Sequence, residues 1–268
     1  LSSADSDASS AVTAYGPLSS FTVEAAGGGS IGTQTAGSSF AVKITASDSG
    51  GRTVTNFTGT ADVSSLNTTI SSGSGTTSAF SAGVLGSHSV TVTTAGSNRT
   101  LSATRTTGGS ETGTSSGFTV NAGSPAGLSI STQPSGGAPG GVLAEQPVVA
   151  VVDAYGNSVT SDNSTSVTAA LASGANGTLG GTTTVTASSG AATFTDLTLN
   201  GDQGADYTLQ FAATGLTAAT SAAIDVDLYV DSSTDGGGWK LVAYGNDAVL
   251  GGYLNAASGV YDPATRTG

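Results

Sequence analysis

The chain has 268 residues, of which only 9% are charged, and its 18 acidic and 6 basic residues give a formal net charge of −12. This charge repels nucleic-acid backbones and anionic lipid surfaces, so we expect no nucleic-acid partner. The sequence has neither Cys nor Met, which excludes disulfides, thiolate catalysis and Cys-ligated zinc. No apolar run approaches the roughly 20 residues that span a bilayer, so we expect no direct membrane insertion.

The rest of the composition is typical of a folded β-protein. Gly accounts for 41 residues, and 37% of the chain is apolar, which is too much for disorder by composition. A surface of Ser, Thr, Gly and Asn with little Lys or Glu favours an extracellular, cell-surface bacterial protein. Residues 1–5 contain no initiator Met and no basic region, as expected of a mature or excised piece. The length predicts about two domains.

The first 20 residues precede the first recognisable strand of a sandwich. Residues 11–15, AVTAY, are strand-like but too short to form a sheet alone. We expect this segment to pair with an exposed sheet edge of its own domain or of a neighbouring subunit. In a polymer it would be a natural coupling element.

Short amphipathic strands follow along the chain. Apolar residues alternate with polar ones in residues 40–46, 90–92, 167–171 and 207–211, and each run ends in Gly, Ser, Asn or Asp. This period predicts antiparallel strands with one buried face, and their spacing predicts sandwiches or barrels without helices. Residues 124–141, rich in Pro and Gly, predict a domain junction followed by a loose loop.

An internal repeat divides the chain. Asp48 and Asp153 each begin the pattern D-x-x-G-x-x-V-T after an apolar strand, and IGTQ at residues 31–34 returns as ISTQ at residues 130–133. The pattern predicts a hairpin turn in which the Asp side chain caps backbone N–H groups and the Gly adopts a positive φ. We therefore predict an N-terminal extension at residues 1–20 and two β units at residues 21–122 and 123–226.

Residues 128–216 resemble the immunoglobulin-like repeats of long bacterial surface proteins and adhesins. The resemblance lies in the DAYGN turn at residues 153–157 and in the strand GAATFTDL at residues 190–197; residues 21–120 resemble a more divergent copy. It implies a sandwich of about seven strands per unit, display outside the cell, and a spacer or structural role.

Residues 228–243, LYVDSSTDGGGWKLVA, resemble the beginning of a fibrinogen C-terminal-like domain. The Cys usual in its first strand is missing, and Lys240 stands where Thr is common. The binding residues of that family lie downstream of the motif, beyond Gly268, so no binding activity carries over. We predict an incomplete third β unit at residues 227–268, entered by a continuous strand over residues 224–230.

Single polar residues give weak site candidates, and we predict no catalytic, metal-binding or cofactor-binding residue. His88, the only histidine, is expected to be an edge or partly buried structural residue. Glu24, Glu111 and Glu145 do not suggest the facing carboxylates of a glycosidase. Lys43 would have to be buried to form an isopeptide bond, but alternation places it on the outward face.

Three other groups of residues were considered as sites. Asp225, Asp227, Asp231 and Asp235 could bind calcium, although alternate acids on a strand usually form its solvated face. Trp239 is expected to anchor a hairpin rather than to stack on a sugar. Five Asn-x-Ser/Thr patterns are expected to be exposed loop sequence first and glycan sites second; they begin at Asn56, Asn67, Asn98, Asn163 and Asn176.

The sequence therefore predicts an all-β chain of tandem immunoglobulin-like β-sandwiches and no enzyme. Its predicted role is a structural subunit or stalk of an extracellular bacterial surface appendage or filament, with copies of itself or neighbouring surface-protein domains as partners. One alternative is an adhesin segment whose sandwiches are spacers for a C-terminal domain that binds glycan or protein. Another is a phage fibre protein.

Overall fold

The structure is a computed structural model that describes residues 16–202 and 206–226, together with the strand backbone of residues 239–241 and 253–255. Every secondary-structure element assigned in this part of the chain is a β-strand. The chain divides into two compact units, Leu1–Gly123 and Ser124–Gly268, here called unit 1 and unit 2. The predicted all-β fold is confirmed.

The described residues of unit 1, 16–123, form eleven short strands in three sheets. The strands are β1 Ser20–Ala25, β2 Gln34–Thr35, β3 Ser39–Ser47, β4 Ala61–Ser64, β5 Ile70–Ser72, β6 Gly75–Thr76, β7 Val84–Val92, β8 Gly96–Arg99, β9 Ser102–Arg105, β10 Thr112–Thr114 and β11 Phe118–Asn121. Their orders are β1-β3-β7-β5, β10-β9-β4-β6 and β2-β11-β8. All pairs are antiparallel except β2 with β11.

The core of unit 1 follows from the alternation in the sequence. In β3, Val42, Ile44 and Ala46 are fully buried, as the period of two predicts. Apolar residues from all three sheets form one buried cluster. Within it the Phe21 ring lies 5.6 Å, centroid to centroid, from both Phe57 and Phe80. Burial between facing sheets defines unit 1 as a β-sandwich.

One glycine allows two sheets of unit 1 to approach each other closely. A Cβ atom on Gly113 in β10 would lie only 1.6 Å from the Phe21 carbonyl oxygen in β1. A side chain at this position would therefore force β10 away from β1. The glycine-rich composition thus has a packing role at this edge.

Unit 2 has the same plan with ten described strands. They are β12 Gly127–Thr132, β13 Val148–Val152, β14 Ser166–Ser173, β15 Thr178–Gly180, β16 Thr184–Thr186, β17 Ala191–Thr193, β18 Thr198–Asn200, β19 Asp206–Ala212, β20 Ala219–Thr220 and β21 Ile224–Asp225. The sheet orders are β12-β13-β17, β16-β14-β19-β20 and β15-β18, and β21 also pairs with β19.

The core of unit 2 is built on β13 and β19. Val149 and Val151 are fully buried in β13, as are Tyr207, Leu209 and Phe211 in β19. The rings of Phe194 and Phe211 are 5.4 Å apart, centroid to centroid. The two buried faces establish a second sandwich, so the tandem immunoglobulin-like arrangement is confirmed.

The number of strands exceeds the seven per unit that the resemblance implied. Many strands have only two to four residues, because turns and breaks divide longer strands between sheets. For example, β8 pairs with β11, whereas β9, after a break of two residues, pairs with β4 and β10.

Three predictions near the ends of unit 2 have different outcomes. The segment predicted as a junction and loose loop, residues 124–141, is irregular at residues 124–126 and again from Gln133, with β12 between the two parts. Of the strand predicted for residues 224–230, β21 covers Ile224–Asp225, and residues 227–230 lie outside the described part. In the predicted third unit, β22 Trp239–Leu241 pairs antiparallel with β23 Tyr253–Asn255. The fibrinogen-like fold itself is not confirmed.

Candidate functional site

The repeated pattern in unit 1 forms a turn organised by a buried carboxylate. Asp48 Oδ1 accepts hydrogen bonds of 2.9 Å from the backbone N–H groups of Gly50 and Arg52. Its Oδ2 accepts another, at 2.9 Å, from Gly16 N–H. Gly51 has a φ of 77°, the left-handed conformation that the sequence predicted for the turn. Asp48 therefore fixes both the turn and the segment that enters β1.

The repeated pattern in unit 2 forms the same turn. Asp153 Oδ1 accepts hydrogen bonds of 2.9 Å from Tyr155 and Asn157 N–H, and Gly156 has a φ of 82°. In the backbone, Asp153 N–H donates to Asn157 O, just as Asp48 N–H donates to Arg52 O, both at 2.9 Å. The predicted capping by Asp is found in both copies. Turn structure, without any ligand, accounts for the repeated pattern.

A second hydrogen-bond pattern recurs although the sequence did not reveal it. In unit 1, Leu101 N–H donates to Ser115 Oγ, and Ser115 Oγ donates to Ser116 O. In unit 2, Leu209 N–H donates to Ser221 Oγ, which donates to Ala222 O. Both serines are buried, with 7% of their surface exposed. The repeat therefore extends to the polar groups inside the sandwiches.

Donors around several carboxylates lower their pKa values. The backbone N–H groups of Gly16 and Arg52 hold the pKa of Asp48 below its usual range. The Thr165 hydroxyl does the same to the pKa of Asp162, and the Thr182 backbone N–H to that of Asp196. These carboxylates are consequently ionised at neutral pH and act as hydrogen-bond acceptors for loops.

His88 is a structural residue of a central strand. It lies on β7 opposite Val42 of β3, whereas the pairing of β5 with β7 involves Val92 and Thr91. The side chain is half-buried, and its Nε2 is 2.8 Å from the Gly73 carbonyl oxygen. In the tautomer protonated at Nε2, His88 donates to this oxygen. It thus joins β7 to the turn after β5 and is not aimed at a nucleophile.

The glutamates are not arranged as a catalytic pair. Glu24 lies directly opposite Lys43 in the β1–β3 pair, with Oε1 3.0 Å from Lys43 Nζ. Glu111 Oε1 is 3.2 Å from Arg105 Nη1 within a hairpin of unit 1. Glu145 belongs to unit 2, where its backbone pairs with Ser135. The Lys43 side chain is 28% exposed on the outer face, which is not the buried setting that an isopeptide bond needs.

The remaining candidate sites lie mainly outside the described residues. Of the four aspartates considered for calcium, only Asp225 is described, and the described residues contain no cluster of three His, Cys, Asp or Glu that could hold a metal ion. For Trp239 only the strand backbone is described. Where the chain is described, no helix is present that is long and apolar enough to cross a membrane.

All five asparagines of the Asn-x-Ser/Thr patterns are exposed. Three of them use their side chains within the fold: Asn67 Nδ2 donates to Asn98 O, Asn163 Oδ1 accepts from Ser189 N–H, and Asn176 Nδ2 donates to Asp202 Oδ2. Asn98 lies in β8 rather than in a loop. The side chains of Asn56 and Asn98 make no hydrogen bond to the described part of the chain.

A cavity of about 440 Å³ lies in unit 1 beside Asn56. Its apolar lining comes from Pro17, Leu18, Val54 and Phe57, and its polar side chains are Asn56 and Arg105. The Arg105 guanidinium carbon lies 5.7 Å from the centroid of the Phe57 ring. The cavity therefore combines apolar walls with two groups that can form hydrogen bonds.

This cavity is not predictable as a whole from the sequence. The sequence carries one local signal for the Arg105 wall, because Gly108 and Gly109 suggest a hairpin that brings Arg105 opposite Glu111. In the structure, Arg105 N–H donates to Glu111 O. The other walls come from residues 16–18 and 54–57, which only the folded chain brings together. Their proximity has no local sequence pattern.

Similarities to solved structures are distant. The Escherichia coli adhesin FdeC is 18% identical, with a TM-score of 0.35 over 85% of this chain and 68% of its own. The Yersinia pseudotuberculosis adhesin InvE is 16% identical, with a TM-score of 0.31 over 88% of this chain and 66% of its own. A glycosyl hydrolase family 2 member from Bacteroides cellulosilyticus is 12% identical, with a TM-score of 0.32 over 71% of this chain.

This chain spans only 23% of the length of that hydrolase. No protein-family model matches the sequence, and no curated protein does. The strand pairing and the two buried cores define the class of the molecule: an all-β protein of tandem immunoglobulin-like sandwiches.

Proposed function

We propose that the chain is a non-enzymatic structural subunit or stalk of an extracellular bacterial surface appendage or filament. The observation that carries this proposal is the recurrence of one turn in both units, with Asp48 and Asp153 buried as acceptors for backbone N–H groups. In both units, buried polar atoms hold loops and strands together. A repeated sandwich whose loops are held by buried hydrogen bonds is suited to spacing and bearing load.

The polar residues of the described chain support a role without catalysis. His88 contacts a backbone carbonyl, and Glu24 and Glu111 each contact a cationic side chain. An acid or base in catalysis needs access to a substrate proton, which these contacts do not provide. The proposed work is done instead by hydrogen bonds between strands and by stacking of domains.

The proposed partners are copies of the same chain or neighbouring surface-protein domains. The net charge of −12 disfavours nucleic acid, and the short apolar runs disfavour membrane insertion. Residues 11–15 are the proposed coupling segment, because a short strand can extend the exposed edge of another sheet. Glycans are the partners in the alternative function as an adhesin segment.

Electron microscopy of the purified 268-residue chain tests the proposal. We expect regular filaments or end-to-end chains whose formation depends on protein concentration. The matched variant lacks residues 1–15 but keeps Gly16, whose N–H donates to Asp48. We expect it to fold and to stay monomeric.

A glycan array with the same protein separates the two functions. Saturable glycan binding by a chain that stays monomeric at all concentrations would replace the structural role with the adhesin one. Assembly supports the structural role, whether or not a sugar also binds. Assembly that is unchanged after removal of residues 1–15 would refute the coupling segment.

A further inference from the structure

The cavity of unit 1 contains hydrogen-bond donors without acceptors. Arg105 Nη1 donates to Glu111 Oε1 and Oε2, at 3.2 and 3.3 Å. Its Nε is buried and has no hydrogen-bond partner in the described chain. Both side-chain hydrogen bonds found for the guanidinium among the described residues come from Nη1. The Arg105 side chain is 25% exposed, so part of the guanidinium can be reached from the cavity. Unused donors in a cavity indicate a ligand that supplies acceptor atoms.

The surrounding charges determine what kind of acceptor fits. Glu111 already neutralises one end of the Arg105 guanidinium. Gly16, which lines the cavity, donates its N–H to a second carboxylate, Asp48 Oδ2. An anionic ligand on Arg105 would be repelled by Glu111, whereas a neutral ligand with hydroxyl or carbonyl oxygens would not. A neutral acceptor therefore fits better than an anion.

The remaining walls suit a ligand with both polar and apolar surface. Asn56 is exposed, and its amide, which can donate and accept, makes no hydrogen bond within the described chain. Pro17, Leu18 and Val54 provide apolar surface on the same cavity. The volume of about 440 Å³ lies within the range of small-molecule sites and exceeds that of one sugar ring.

We propose that this cavity binds a neutral sugar residue, with Arg105 donating to ring-substituent oxygens and Asn56 hydrogen-bonding a hydroxyl group. The site is independent of the proposed filament role, because it lies within one unit and requires no assembly. Microscopy tests the filament, whereas the sugar site is tested on dissolved protein. The failure of one proposal therefore leaves the other standing.

Titrations followed by ¹H–¹⁵N NMR test the proposal on the complete chain. The probes are glucose, N-acetylglucosamine and sodium acetate, with sodium chloride as the control for ionic strength. We expect both sugars to shift the Arg105 Nε–H and Asn56 side-chain amide signals saturably, and acetate not to do so. If N-acetylglucosamine binds more tightly than glucose, its acetamido carbonyl contributes to binding.

Two variants examine the residues that are proposed to bind. Removing one hydrogen-bonding group should weaken the binding of the better sugar about fivefold in Asn56→Ala. Thr58→Ala is the matched control, because Thr58 is exposed two residues away and does not line the cavity. Arg105→Lys keeps the charge beside Glu111 but removes the planar fork, and should weaken binding at least as much.

Three results would contradict the proposed sugar site. Without saturable shifts by either sugar up to about 100 mM, a concentration at which even weak sites fill, there is no sugar site. Tighter binding of acetate would show an anion site instead. An equal loss of affinity in Thr58→Ala and Asn56→Ala would show that the turn as a whole, rather than the Asn56 amide, is responsible.

Discussion

The two units share a hydrogen-bond plan but differ completely in charge. Residues 16–123 contain four acidic and four basic residues, whereas residues 124–226 contain seven acidic residues and no Lys, Arg or His. The seven acidic residues in 124–226 are Glu145, Asp153, Asp162, Asp196, Asp202, Asp206 and Asp225. Within residues 124–226 no side-chain ion pair can form, because this part of the chain has no cationic side chain.

The units also use different side chains to bind neighbouring loops at an equivalent position, close to the leucine that donates to a buried serine. Tyr207 and Arg99 both lie two residues before the leucine that donates to a buried serine. The Tyr207 hydroxyl accepts from Asp202 N–H and donates to Ala175 O, at 2.6 and 3.2 Å. The Arg99 guanidinium donates to the carbonyl oxygens of Asn67 and Ala95. Two unrelated side chains thus tie loops to the same place in the fold.

We expect the largest difference in stability between the units when the side chains of Tyr207 and Arg99 are truncated to Ala. Tyr207 is fully buried, and its ring fills space left by Gly174, Gly177 and Gly201. Tyr207→Ala should destabilise unit 2 by about 3–5 kcal/mol, because it leaves a cavity and unpaired backbone groups. Arg99→Ala should cost unit 1 only about 1–3 kcal/mol, since Arg99 is half-buried and near water. Hydrogen exchange measured by mass spectrometry gives the opening free energy of each unit separately.

Tyr207→Phe is the control for the cavity, because it keeps the ring and removes only the hydroxyl. We expect a loss of about 1–3 kcal/mol, confined to unit 2. A Tyr207→Phe variant as unstable as Tyr207→Ala would show that the hydroxyl, and not the ring, is what unit 2 depends on.

The shared turn gives the next largest effect. Asp153→Ala leaves the Tyr155 and Asn157 N–H groups without their acceptor and should destabilise unit 2 by about 1–3 kcal/mol. Asp153→Asn keeps an acceptor oxygen and should lose less. Asp48→Ala should reduce protection in unit 1 and also release Gly16. The equivalence of the turns is refuted if exchange protection falls in one unit but not in the other.

Acidification should destabilise unit 1 more than unit 2. A carboxylate with a lowered pKa in the folded state stabilises the fold above its unfolded pKa, about 3.9 for Asp and 4.3 for Glu. That stability is lost as the pH falls through the folded pKa. The pKa values are lowered for Glu24, Asp48 and Glu111 in unit 1, and for Asp162 and Asp196 in unit 2.

The two units diverge further once their carboxylates are protonated. Residues 16–123 retain four cationic side chains and His88, which repel each other, whereas residues 124–226 become uncharged and lose their repulsion. We expect the NMR signals of unit 1 to collapse first between about pH 4 and pH 2. Earlier collapse of unit 2 would contradict this assignment of charge effects.

A change in salt concentration should produce the smallest difference in stability between the two units. At neutral pH, raising the ionic strength from about 0.01 to 0.15 M screens repulsion among the seven acids of residues 124–226 and should stabilise their sandwich by a few tenths of a kcal/mol. The sandwich of residues 16–123, with four acidic and four basic side chains, should change less. Hydrogen exchange at both ionic strengths measures the difference, and sucrose at equal osmolality serves as the control for non-ionic solvent effects.

Local chemistry made the strands and turns predictable. The alternation around Val42 and Leu209 predicted strands with a buried face, and the Asp and Gly of each repeat predicted a capped turn. These features depend on residues within a few positions of one another, so the sequence carries them directly. The division of long strands between sheets was not predictable, because it depends on neighbours that arrive from elsewhere in the chain.

The sequence by itself determined the all-β class, the repeat and the chemistry of its turns, because alternation and turn preferences act over short distances. Only the tertiary structure decided that Arg99 and Tyr207 have equivalent roles, since one partner of each lies 32 residues away in the chain. It also decided that Arg105, Asn56 and Leu18 line one cavity. Such groupings follow from the way the sheets pack, and no local pattern encodes them.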